Sequence, residues 1–156
     1  MSAALTGFES SVLKPQLDPT DLARQYYLFA TGQVGEPAMT NLLNAYRAIK
    51  TQPPQQIADT LLETSSATPS AQAQLAQSVV AMWYLGSWYV PGVLGGFGFA
   101  PPPLQVISSV AYTNGLVWRV MQSHPMGYSQ FTFGYWSQQP APLSSFGVNT
   151  GNGGGQ

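Results

Sequence analysis

After Glu63 the chain runs on to Gln156 with one formal charge, Arg119. A protein surface normally relies on mixed charge to stay soluble. A long uncharged segment must therefore be buried in its own domain, in lipid, or under a partner. All the acidic residues lie between Glu9 and Glu63. Charged residues make up 7% of the 156 residues, against about 25% in ordinary soluble domains. Aromatics reach 12%, and that balance is the reverse of a disordered chain. The length fits one domain spanning residues 1–156, able to bury roughly 68–70% of its unfolded surface.

The charge count also removes several function classes. Net charge is −1, with no cluster among the five Lys and Arg residues, whereas nucleic-acid binding needs several cations on phosphates. Without cysteine there is no disulfide, thiolate metal site or thiol nucleophile. The start, Met1 to Thr6, shows no basic stretch leading into an apolar run, so no export leader is expected in this chain.

Residues 18–63 read as amphipathic helices. Asp18 can cap, Pro19 suits a first turn and Asp21 favours the positive end of the dipole. Leu22, Tyr26 and Phe29 follow at helical spacing, with Gly32 as the expected stop. Glu36-Pro37 opens a second helix with Met39, Leu42, Leu43, Tyr46 and Ile49 on one face, closed by Arg47 and Lys50. Pro53-Pro54 opens a third, carrying Ile57, Leu61 and Leu62. Thr68-Pro69 starts a fourth that runs through Ala71, Leu75, Val79, Met82 and Trp83 to Gly86. Its polar face, Gln72, Gln74, Gln77 and Ser78, can be solvated, or can be buried against amides without the cost of burying charge.

From Ser87 to Pro103 glycine and proline break the pattern, and Pro101-Pro102-Pro103 is expected to be extended polyproline II. The stretch 79–99 is uncharged and long enough to raise a membrane span. Pro91, Gly92, Gly95, Gly96 and Gly98 argue against one, as do Trp and Tyr residues in mid-run. Residues 104–121 predict a fifth helix, loosened at Ser108-Ser109 and Asn114-Gly115. An aromatic loop region follows, and 149–156 is a Gly- and Asn-rich tail expected to be flexible. The fold class expected is mainly α, about five helices with a long irregular C-terminal region.

Catalytic parts are scarce. His124 is the sole histidine, and a triad would have to borrow its acid from the N-terminal helices. No acid pair, metal-ligand cluster or complete phosphate loop is present in the C-terminal half. The residues suited to an interface are Trp83, Tyr84, Trp88, Tyr89, Trp118, Arg119, His124, Tyr135 and Trp136, since aromatics and Arg are enriched where proteins meet.

Three ordered motifs carry a resemblance. Met82-Trp83-Tyr84-Leu85-Gly86, then Ala111-Tyr112-Thr113-Asn114-Gly115-Leu116, then Gly134-Tyr135-Trp136-Ser137-Gln138-Gln139-Pro140 resemble the small subunits of membrane-bound, FAD-dependent sugar and sugar-alcohol dehydrogenases. Tyr27-Leu28-Phe29-Ala30-Thr31-Gly32 is similar to that family's first helix. The resemblance covers roughly Asp18 to Pro140. It implies a periplasmic heterotrimer, associated with the membrane through the complex. A large flavoprotein of the glucose-methanol-choline type would hold FAD, and a multihaem cytochrome c subunit would hold haem c. The small subunit would hold no cofactor and would support folding, flavin loading and export of the large one. This chain departs from that pattern in lacking a twin-arginine leader, in a longer Gly/Pro insertion at 87–103, and in having no Cys before Gly134. The other reading of the residues is a membrane-interface protein using 79–99.

Overall fold

The computed structural model describes residues 1–18, 20–93, 105–125, 139 and 142–148. It is mainly helical: α1 (Ser2–Thr6), α2 (Ser10–Leu13), α3 (Leu22–Val34), α4 (Glu36–Ile49), α5 (Pro54–Leu62), α6 (Ala71–Leu85), α7 (Ser109–Thr113) and α8 (Leu116–Val120). A two-residue antiparallel pair, β1 (Ser87–Trp88) and β2 (Gln105–Val106), follows α6, with Ser87 opposite Val106 and Trp88 opposite Gln105. A 3-10 turn covers Leu143–Phe146.

α6 is the centre of the molecule. Its N-terminus is set by Ser70, whose hydroxyl accepts from the Ala73 N–H. Glu63 holds Ser70 in turn: its carboxylate accepts from the Ser70 N–H at 2.8 Å and the Ser70 hydroxyl at 2.7 Å. Gly86 ends the helix in the left-handed region, φ 63°, and donates its N–H to Met82. Between these caps Ala73, Leu75, Ala76, Ser78, Val79, Met82 and Trp83 are all buried. A helix covered on most sides needs no charged face. Burying side chains such as Leu75, Val79 and Met82 contributes about 1.5–3 kcal/mol each. The glutamines bear out the amide reading of the polar face. Gln77 Nε2 donates to the Leu62 carbonyl at 3.3 Å and Gln74 Nε2 to the Pro69 carbonyl at 3.0 Å, both part-buried.

Around α6 pack α1, α4, α5 and α8. α4 and α5 follow the sequence expectation: each has proline in its first turn, where an N–H would go unpaired. α4 buries Met39 and Leu42, and α5 buries Ile57, Ala58 and Leu61. α3 departs at both ends. It begins at Leu22, because Asp21 takes φ 42° while the Asp18 carboxylate accepts from the Thr20 and Asp21 N–H groups, each at 3.0 Å. Asp18 therefore shapes the turn before the helix instead of capping it. Gly32 does not end α3; the helix continues to Val34 and stops at Gly35, φ 83°.

Two further corrections concern short elements. α1 and α2 were not foreseen, yet Leu5, Phe8 and Leu13 from this region join the core. Residues 104–121 do not form one helix: β2, α7 and α8 divide the segment. The dividing residue is Gly115, where a Cβ would lie 2.7 Å from the Tyr84 carbonyl oxygen. That close approach fixes the break. The 142–148 segment returns to the N-terminus, where Glu9 donates its N–H to Gly147 at 3.1 Å and Phe8 bridges Val148. The stretch 79–99 does not continue as one helix beyond Leu85. Among the described residues no helix is long and apolar enough to cross a membrane.

Candidate partner-binding surface

The C-terminal end of α6 is where the uncharged segments gather. Past Gly86 the chain enters β1, and the Gly86 carbonyl accepts from the Ile107 N–H at 3.1 Å. A side chain at Gly86 would overlap the Ala111 backbone, so α7 lies directly on the end of α6. The Ser108 hydroxyl caps α7 by accepting from the Ala111 N–H at 3.0 Å. The Tyr26 hydroxyl reaches the Ala111 carbonyl at 3.5 Å, and burial pushes that phenol's pKa up. Two of the sequence motifs thus meet in space, 82–86 against 111–116.

The aromatic residues singled out in the sequence divide between core and surface. Trp83 is 4% exposed and packs edge-on to Tyr26, ring centroids 4.8 Å apart. Trp88 is 2% exposed and packs edge-on to Phe29. Both indoles are spent on the chain's own interior. Tyr84 is half-buried; its hydroxyl donates to the Thr6 carbonyl at 2.8 Å, tying α6 to α1. Burial pushes its pKa up as well. Trp118 is half-buried and folds back on α7, with Nε1 donating to the Tyr112 carbonyl at 2.8 Å. Tyr89 is half-buried. His124 is half-buried, and its Nδ1 lies 3.0 Å from the Pro125 carbonyl, which can only accept. Tyr135 and Trp136 lie outside the described residues, as do the glycines at 95–98, the triproline and the tail.

Arg119 is exposed on the last turn of α8. The apolar side chains that share this uncharged part of the surface are aliphatic: Leu85, Val90, Val106, Val110, Val120 and Met121. Sequence reasoning missed them because it followed aromatic content. The signal available was a run of valines with no charge among them except Arg119. Exposed apolar residues scattered singly are ordinary. Here they recur on successive elements, β2, α7 and α8, that meet at one end of α6.

Among the described residues no group of three or more His, Cys, Asp or Glu is placed to hold a metal. A groove of about 450 Å³ lies where α1 and α2 meet the start of α5, and among the described residues Glu9 is its only ionisable lining residue. In comparisons with known proteins, no family model, no curated protein and no solved structure matches this chain.

Proposed function

We propose that this chain is a non-catalytic accessory subunit that binds a larger flavin-dependent dehydrogenase and supports its folding and flavin loading. The observation that carries the reading is the set of exposed aliphatic side chains on β2, α7 and α8, in a half of the chain whose sole charge is Arg119. Contiguous apolar patches mark sites of association, and the elements that carry these side chains meet at one end of α6. The flavoprotein as partner comes from the ordered motifs at 82–86, 111–116 and 134–140, which resemble the small subunits of sugar and sugar-alcohol dehydrogenases. On this reading FAD and haem c belong to the partners, and the assembly works in the periplasm.

The membrane-interface alternative draws on the stretch 79–99. Val79, Met82, Trp83 and Trp88 in that stretch are buried in the chain's own core, so these four do not face lipid. A catalytic role for His124 lacks an acid from the same half of the chain.

Co-expression tests the proposal. The catalytic subunit is produced with and without this chain, and its soluble yield, export and flavin content are measured. Equal values in both cases sink it.

A further inference from the structure

Asn114 and Gly115 form a pair with chemistry of its own, independent of the docking role above. Asparagine is a thermolabile residue, and it is lost when the next residue's backbone nitrogen attacks its side-chain amide. A glycine in that place leaves the nitrogen unscreened, because it has no Cβ. Among the described asparagines, Asn41 and Asn44 precede Leu42 and Ala45 within α4, and Asn114 alone precedes glycine. Asn114 is exposed, in the turn between α7 and α8.

The closed fold holds the pair in a geometry unsuited to that attack. At Asn114 ψ is 6°, so the Gly115 nitrogen nearly eclipses Asn114's own nitrogen and is turned away from its Cβ. The Gly115 N–H donates to the Tyr112 carbonyl at 3.2 Å, and Asn114 Nδ2 donates to the Val110 carbonyl at 2.9 Å. Turning ψ towards ring closure moves α8 relative to α7. That motion breaks the bond from Trp118 Nε1 to the Tyr112 carbonyl, 2.8 Å, and parts the edge-on Tyr112 and Trp118 rings.

We propose that Asn114 is a site of spontaneous deamidation whose rate is set by opening of the α7–α8 joint. In the opened joint the Gly115 nitrogen attacks Cγ of Asn114. The N–Cγ bond forms, the Cγ–Nδ2 bond breaks, and ammonia departs with the Gly115 amide proton. Water then opens the cyclic imide at either carbonyl, leaving aspartate or isoaspartate. The product places an acidic side chain in a segment that has no Asp or Glu after Glu63. Isoaspartate also lengthens the backbone where Gly115 lies close against the Tyr84 carbonyl.

For the test, the full chain is incubated in mildly alkaline buffer, folded or in guanidinium chloride, and then cut with trypsin. Asn114 is the only Asn in the peptide 51–119. An amide-to-acid mass gain there reports it, and Asn114→Gln is expected to abolish the gain. The folded chain is expected to deamidate more slowly than the denatured chain by about tenfold or more. Trp118→Phe loses the indole bond across the joint and is expected to raise the folded rate by about fivefold. Ser70→Ala, which loses a bond of similar strength at the far end of α6, is expected to leave that rate unchanged. Circular dichroism confirms that both variants fold. No gain in the denatured chain, a gain that survives Asn114→Gln, or equal rates in folded and denatured chain overturns the proposal. So does a Trp118→Phe rate equal to wild type, or one matched by Ser70→Ala, since the gate would then lie outside the joint.

Discussion

The helices before Glu63 and the elements after Leu85 are held in place by different means. In α3, α4 and α5 an apolar stripe faces inward and charged side chains face water, with Tyr27 and Leu28 of α3 also exposed, and proline opens α4 and α5. Past α6 the elements are short, and they hold by backbone proximity: Gly86 against Ala111, Gly115 against the Tyr84 carbonyl, Ile107 against the Gly86 carbonyl. α6 belongs to both regimes. Its lack of charge is explained by burial within the chain, whereas that of β2, α7 and α8 is not, since they leave valines in water. The same composition thus has two physical causes, and only the second points outward.

The largest test of that division is Trp83→Ala. It removes an indole from the core and is expected to cost about 3–5 kcal/mol in chemical denaturation. A loss below about 1 kcal/mol, of the size seen for surface changes, would move Trp83 out of the core and back to the interface. Next is Gly86→Ala, which combines a left-handed backbone with overlap on Ala111. A loss on the order of 3 kcal/mol is expected. If the glycine contact holds only the later elements, amide exchange in α7 should rise before exchange in α4.

Tyr84→Phe removes the hydroxyl that ties α6 to the Thr6 carbonyl, at a cost of about 1 kcal/mol. Ser70→Ala removes the α6 cap and costs a similar amount, about 1 kcal/mol. A null result in thermal melts of either variant would weaken the picture of α6 as the joint between the two regimes.

The smallest effect is with pH. Hydrogen bonds from Ser70 to Glu63, and from Thr20 to Asp18, hold both carboxyls below their usual pKa. Their folded-state pKa values are depressed, so their contribution is present above the ordinary carboxylate range and is lost as pH falls through the folded values. Melting temperature should therefore drop modestly on acidification, and Glu63→Gln should flatten part of that drop. The segment after Glu63 holds no Asp or Glu. An acid response unaltered by Glu63→Gln would assign the effect elsewhere.

What was legible in the sequence follows the range of the interaction that decides it. Gly86 as a stop, Pro37 and Pro54 as starts and the buried stripes of α4 and α5 are local matters of capping and spacing. Gly32 misled because a glycine ends a helix only when the backbone turns left-handed, and that happens at Gly35. α1 and α2 were invisible because four or five residues are too few to show a period. The break at Gly115 depends on Tyr84, on another helix. At the candidate surface, aromatic content marked Trp83 and Trp88, but which side of an indole is covered depends on packing with Tyr26 and Phe29. Arg119 was legible because isolation from other charge is a property of the sequence itself.

The bond from Tyr84 to Thr6 spans 78 residues, and α1 packs on α5 and α6. During synthesis at about 5–20 residues per second, α1 therefore waits roughly 4–16 s for the helix it rests on. Until then Leu5 and Phe8 have no native neighbours from α6. α1 meets α5 first and gains its bond to Tyr84 only when α6 has been made. A nascent chain of this kind is most vulnerable to wrong association in the interval before α6 emerges.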